Sequence, residues 1–593
     1  MIALEKPDVE QFFKTFNIQT FAVSPDEEQL VFSTNLNGTY NVWAMDLPQT
    51  FPYPVTFENQ SCHELIYDNS GSYILAVMDK DGDENGQIYA VSSKGGKMKT
   101  IRQAEGYHHE MPFLSNDGKK LYYTSNKEDQ TFLKGYSYNL ETETEETILH
   151  GKDAIVLLMD KSPEGRSFLY GEFHGNTYSL PYVKFGEEDI LLTPAVSPEH
   201  TFAGAVYVSE TEVYLITNYG EDFSYLAKFN LESKEFQKVF QVENEDLTEL
   251  KFHPKTNSLL LVSQKGVLDY FYEYHLGFDE LEKITTPVSV IEKVVIGESG
   301  GVYLQGCSPT APSNIYKKSE KGWLRLTNYS VPGIRQEELV DPEVVTYPSF
   351  DGLEIEALLF QAKKENDNGH VIFWPHGGPQ FAERASFRSL FQFLLHRGYR
   401  IFAPNFRGSS GYGLAFEKMV EGDWGNGPRL DNIYGLEWLI EQGYADREKI
   451  LLMGGSYGGY MALLLHGRHS EYFKAVVELF GPSNLFSFVD SVPEHWKPVT
   501  KQLVGDPTKD KVKLTEASPH TYVASMTKPM LVIQGAQDPR VVKEESDQIV
   551  QALKETGREI DYLVLEDEGH GFSKKENEMA VYRKVLAFFD QHI

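Results

Sequence analysis

Three residues in the last quarter of the chain could share one reaction. Ser456 stands in Gly454-Gly455-Ser456-Tyr457-Gly458, Asp538 in Gly535-Ala536-Gln537-Asp538-Pro539-Arg540, and His570 in Gly569-His570-Gly571-Phe572. A serine hydroxyl attacks a carbonyl only when a base removes its proton, and a histidine serves as that base when an acid fixes its tautomer. Each residue follows an apolar run of strand type, at 449–454, 529–534 and 560–566. The order Ser, Asp, His, each on a loop after a strand, is that of the α/β-hydrolase layout. The predicted chemistry is acyl transfer from an amide or ester to Ser456 and then to water.

The Gly-x-Ser-x-Gly pattern is weak by itself, because Gly297-Glu298-Ser299-Gly300-Gly301 matches it too. That copy joins two strand-like runs with no helix after it and reads as a β-turn. Only Ser456 has a strand before it and an amphipathic helical pattern after it, the context a strained nucleophile turn requires. An oxyanion hole needs two converging donors. The N–H of Tyr457 supplies one. The loop His376-Gly377-Gly378-Pro379 supplies the other, from Gly378, with Gly377 the near alternative.

Such a triad calls for no metal and no cofactor, and none is expected. Asp79-Lys80-Asp81-Gly82-Asp83-Glu84-Asn85 looks like a calcium loop, but its glycine is fourth rather than sixth and Ala90 holds the twelfth place. It reads as a hairpin turn. His108-His109-Glu110 places neighbours on opposite sides of the backbone and reads as solvated loop residues.

The elements that must position these residues fall into two domains. From residue 336 strand-like and helical runs alternate, with helical patterns at 386–398, 429–443, 457–468, 541–556 and 577–591. Such alternation gives a mostly parallel, helix-covered sheet. Residues 18–335 instead repeat a unit of short strands every 40–50 residues, as in Ala22-Val23-Ser24-Pro25-Asp26, Leu65-Ile66-Tyr67-Asp68 and Pro112-Phe113-Leu114-Ser115-Asn116-Asp117-Gly118. That period is the length of a four-stranded propeller blade, and about seven units fit. Residues 1–17 form a separate helical segment. Pro7 and Asp8 open it, and Val9, Phe12, Phe13 and Phe16 share one face. This stripe must dock on the chain's own hydrolase domain or on that of a second subunit.

Bulk composition narrows the class. A chain of 593 residues exceeds one core. A net charge of −32 argues against a nucleic-acid partner. Two cysteines form no disulfide framework, and no apolar run approaches the ~20 residues of a membrane span. The start shows no signal-peptide pattern, so a cytoplasmic protein is expected.

These motifs, with Asn405-Phe406-Arg407-Gly408-Ser409-Ser410-Gly411-Tyr412-Gly413 and Gly422-Asp423-Trp424-Gly425, resemble the prolyl oligopeptidase family. The His-Gly-Gly-Pro loop and the Arg-Gly-Ser-Ser-Gly-Tyr-Gly stretch are most similar to acylaminoacyl peptidases. The resemblance is dense over the last ~250 residues and architectural over the propeller. It implies a serine exopeptidase that releases N-acylated amino acids from short peptides, with the propeller screening substrate size and a homodimer as the favoured assembly. It also implies that the region after 475–480 lines the P1 pocket, through Leu485, Phe486, Phe488 and Trp496. No paired glutamates for a free amino terminus, as in dipeptidyl peptidases, are visible by inspection. An endo-acting oligopeptidase or a carboxylesterase with the same triad is the alternative, and an inactive propeller–hydrolase binding protein a remoter one.

Overall fold

The computed structural model describes residues 8–58 and 60–593. Its first part is a seven-bladed propeller, with antiparallel four-stranded blades at 18–54, 62–102, 109–150, 155–191, 202–240, 246–284 and 290–325. The inner strands of the blades are buried on both faces, as in Tyr73–Met78 and Ser258–Lys265, and neighbouring blades stack through these apolar faces. Val42, Leu65 and Ile74 share one such core, and Leu247, Leu259 and Leu261 another.

The second part is an eight-stranded sheet. Its strands are β1 Glu343–Pro348, β2 Glu354–Phe360, β3 Val371–Phe373, β4 Arg400–Pro404, β5 Ile450–Gly455, β6 Val476–Leu479, β7 Met530–Gly535 and β8 Ile560–Leu565. They lie in the order β1-β2-β4-β3-β5-β6-β7-β8, antiparallel through β2 and β4 and parallel from there on. The helices are α1 Val9–Phe13, α2 Ser389–His396, α3 Leu414–Lys418, α4 Gly427–Glu441, α5 Tyr457–Arg468, α6 Leu485–Ser491, α7 Lys497–Val504, α8 Lys511–Ala517, α9 Lys543–Glu555 and α10 Lys575–His592. One face of the sheet packs on α4, α5 and α9 through Leu436, Met461 and Ile549; the other packs on α2 and α10 through Phe393 and Val585. The central strands are buried on both faces and read as continuous apolar runs. Helices α6 to α8, each of seven or eight residues, lie between β6 and β7. Among the described residues no helix is long and apolar enough to cross a membrane.

The N-terminal segment docks within its own chain. Phe12 meets Phe393 at 5.6 Å, Phe13 stacks on Tyr582 at 4.6 Å, and Asp8 pairs with Arg397 at 2.7 Å. The helix is shorter than the apolar stripe suggests. It ends at Phe13, and Phe16 turns to Tyr329 beside the propeller. Pro7 lies outside the described residues.

His108 and His109 do point apart, but His109 is 1% exposed against Tyr123, which corrects the solvated-loop reading. Burial, with Lys127 and Arg102 nearby, pushes its imidazole down to about 4.

The second Gly-x-Ser-x-Gly is a turn between blade-7 strands, and it closes the propeller. Glu27 of blade 1 reaches across the seam and accepts from Gly301 N at 2.9 Å, Tyr303 Oη at 2.9 Å and Lys317 Nζ at 3.0 Å. A Cβ on Gly297 or Gly301 would stand 2.2 Å from its carboxylate. Burial raises the Glu27 pKa, but bonds from Ser299, Gly301, Lys317 and Tyr303 outweigh it and hold it down to about 2. Glu27→Ala is expected to cost about 1.5–3 kcal/mol at neutral pH, the worth of hydrogen bonds to a charge. Because the folded pKa is depressed, this contribution is present above the unfolded value near 4.5 and is lost as pH falls through about 2. Urea unfolding of both proteins from pH 7 down to pH ~3 checks it: the gap between them should narrow with acid.

Candidate active site

The chain turns sharply after β5. Ser456 sits at φ 57° and ψ −124°, a left-handed conformation that lifts its side chain above the sheet and starts α5. The glycines around it are required by close approach. A Cβ on Gly454 would lie 2.2 Å from Gly458 O, and one on Gly458 2.2 Å from Pro375 O.

The loops after β7 and β8 bring the other two groups to the serine. His570 Nε2 lies 2.9 Å from Ser456 Oγ, and His570 Nδ1 lies 2.6 Å from Asp538 Oδ2. Asp538 Oδ1 accepts from the N–H groups of Arg540 at 2.9 Å and Val541 at 3.0 Å, so the carboxylate cannot rotate freely. Base within reach of nucleophile, and acid within reach of base, is the geometry acyl transfer needs.

Gly378 and Tyr457 line the same cavity as Ser456 and His570. The Tyr457 N–H is in the first turn of α5, where no intrahelical acceptor exists. Gly377 approaches closest to the nucleophile: a Cβ there would stand 3.5 Å from Ser456 Cβ. The glycine loop is braced by His376, which donates from Nδ1 to Gly377 O at 2.6 Å and stacks on Phe406 at 4.2 Å. Complete burial lowers its pKa to about 4, so it braces the loop as a neutral ring.

The cavity holds about 630 Å³ and lies between propeller and hydrolase domain. Phe488 and Trp496 line it, together with Trp424, Val492 and Val504. Leu485 and Phe486 do not. Helix α6 turns Leu485 inward, where it is 0% exposed, and packs Phe486 on the outside of that same core. Residues one and two positions apart on a helix face different ways, so one turn cannot offer all three apolar side chains to one pocket. Trp424, unassigned in the sequence reading, stacks on Phe488 at 5.5 Å and meets Tyr457 edge-on at 5.0 Å.

Two further features join the site only in three dimensions. The blade-2 turn at residues 79–85 leans on the catalytic loops: Arg540 Nε donates to both carboxylate oxygens of Glu84 at 2.8 and 2.9 Å, Lys574 pairs with Asp81 at 3.0 Å, and Gly82 packs on Gly569. Glu417 of α3 also lines the cavity, half-buried, with no cation paired to its carboxyl among the described residues. Burial, then Asp246 and Glu421 nearby, raises it to about 8. Its neighbour Gln380 bridges the domains, accepting from Asn176 at 2.8 Å and donating to Glu421 at 3.2 Å.

Comparison with known proteins agrees with this geometry. The prolyl oligopeptidase family model matches residues 385–593. The dipeptidyl aminopeptidase BIII of Pseudoxanthomonas mexicana is 27% identical over 612 residues, which span 96% of this chain and 86% of that protein. The acylamino-acid-releasing enzyme of Arabidopsis thaliana is 27% identical over 248 residues, spanning 40% of this chain and 32% of its own. A puromycin-hydrolyzing peptidase of Mycobacterium tuberculosis superposes with a TM-score of 0.87 over 98% of this chain and 95% of that one, at 16% identity, which is a likeness of fold. The family resemblance carried by the motifs is thereby shown.

Proposed function

We propose that this serine peptidase of the prolyl oligopeptidase family is an exopeptidase that removes short fragments from the free amino end of small peptides. One observation carries the choice of a free amino end. Glu417 is a carboxyl without a cationic partner in the cavity that also holds Ser456, and an α-ammonium group would supply that partner. The full-length likeness to a dipeptidyl aminopeptidase supports the same reading. An N-acylated amino end is the second reading, supported by the likeness of the His376-Gly377-Gly378-Pro379 loop and the Arg407–Gly413 stretch to acylaminoacyl peptidases. An acyl cap carries no charge and would leave Glu417 unpaired.

The apolar wall of Trp424, Phe488 and Trp496 suits Leu, Met or Phe at P1, each methylene being worth about 1–3 kcal/mol. The propeller over the cavity suits short or unfolded chains.

A panel of chromogenic reporters decides between the readings: a free dipeptidyl anilide, the same compound acetylated, and acetyl-leucyl anilide. The free compound is expected to react fastest. A charge-assisted bond is worth about 1.5–3 kcal/mol, so Glu417→Gln should raise KM for the free reporter by roughly 10- to 100-fold. It should leave the acetylated reporters within about twofold. Faster cleavage of the acetylated compounds, unaffected by Glu417→Gln, would establish the second reading instead. Cleavage after Asp or Lys in preference to Leu or Phe would overturn the pocket assignment.

A further inference from the structure

One buried acid near the nucleophile is used by no step of the reaction. Glu478 is the third residue of β6, the strand next to the one that carries the elbow, and it pairs in register with Gly454 of β5. It is 0% exposed. One carboxyl oxygen, Oε1, accepts from the N–H of Gly481, while Oε2 has no hydrogen-bond partner among the described residues. Burial pushes Glu478 up to about 8, with the Gly481 bond opposing, so the group is largely neutral at pH 7. A neutral carboxyl is tolerable in this core, though still costly beside an apolar side chain of equal volume.

What it holds explains why an acid is there. The bond from Gly481 N closes the turn Leu479-Phe480-Gly481. Within that turn Phe480 adopts φ 41°, a strained value for a bulky side chain. That conformation places the Phe480 ring against the imidazole of His570, with centroids 4.8 Å apart, and against Phe572 at 5.8 Å. The same turn touches the nucleophile, because Leu479 O accepts from Ser456 N at 2.9 Å. On its other side the carboxyl packs on the first turn of α5, where a Cβ on Gly459 would stand 2.8 Å from Oε1. A single side-chain acceptor therefore fixes a strained turn that contacts both Ser456 and His570.

We propose that Glu478 is a positioning residue of the reaction: through the Gly481 N–H it holds the Phe480 turn that fixes the His570 ring relative to Ser456. This assignment is independent of which amino end the substrate carries, since it concerns the triad alone. A misplacement of about 1 Å in a reacting group can cost on the order of 10²-fold in rate. Glu478→Met removes the acceptor at similar volume, and Glu478→Gln keeps it.

The test measures kcat and KM on the fastest reporter, per site titrated with a fluorophosphonate probe. Glu478→Met should lower kcat roughly 10- to 100-fold with KM within about twofold, and Glu478→Gln should stay within about threefold of the parent. Phe480→Ala should lower kcat similarly, and the double variant Glu478→Met/Phe480→Ala should be little worse than either single one, because the two act through one turn. A purely structural role predicts something else: a lower melting temperature, normal kcat per titrated site, and effects that add. Normal kcat in folded Glu478→Met, or additive losses in the double variant, overturns the assignment. Should Glu478→Met not fold, Glu478→Gln still decides, because a loss as large as that of Phe480→Ala would show the Gly481 acceptor is not what matters.

Discussion

Ser456→Ala is expected to lower kcat by about 10⁴-fold or more while the fold and melting temperature stay as they are. The structure separates the two effects. At φ 57° any L-residue carries the same backbone strain, and alanine keeps the Cβ that the turn already accommodates. The substitution removes Oγ alone, with its 2.9 Å bond to His570 Nε2. No other described hydroxyl or thiol bonds to that nitrogen, so nothing nearby can inherit the proton transfer. The remaining acceleration would come from the oxyanion donors and from binding. Steady-state rates on any reporter the parent cleaves, with calorimetry on both proteins, give the answer. A rate close to the parent's would remove Ser456 from the mechanism.

Asp538→Asn should cost nearly as much, roughly 10⁴-fold in kcat, and by a different route. Oδ1 of Asp538 accepts two backbone N–H groups, from Arg540 and Val541, while Oδ2 accepts from His570 Nδ1. An asparagine has one oxygen and one NH₂. The two backbone donors demand the oxygen, so the NH₂ is turned toward His570 and donates to Nδ1. The imidazole is then held with its proton on Nε2, the nitrogen that must take the proton of Ser456. The base is present and correctly placed, but in the wrong tautomer. The expected signature is a large fall in kcat with KM and stability little changed, and nitrogen NMR of the labelled ring should show Nε2 protonated. A rate within tenfold of the parent's would mean that Asp538 does not set the tautomer.

Much of this molecule is written locally in its sequence. The elbow is legible because its demands fall within five residues: glycines at 454 and 458, where neighbouring backbone approaches too closely for a Cβ, and a strand before and a helix after. The parallel strands are legible as apolar runs because helices cover both faces of the sheet. The blades are legible because each repeats one short pattern of strands and turns. The loops carrying Asp538 and His570 are legible because chain order and strand ends alone place them.

What the sequence leaves open is decided by contacts between distant segments, which have neither period nor motif. Glu84 and Arg540 are 456 residues apart and meet only because propeller and hydrolase close on each other. The decoy Gly297-Glu298-Ser299-Gly300-Gly301 gains its purpose from Glu27, on the far side of a ring that must first be closed. Leu485 and Phe488 look alike as apolar residues three apart on α6 and share one core, and only the packing of that helix brings Phe488 to the cavity wall as well. Glu417 is an ordinary surface-type residue on a short helix until tertiary packing takes water and cations away from it. Glu478, in a run of buried apolar neighbours, acquires its place from one N–H three residues on, in a turn whose strain is maintained by the sheet around it. Local geometry fixes which residues can do the chemistry; the packing of distant segments fixes what they face, because burial and partner are properties of the folded surroundings rather than of the residue.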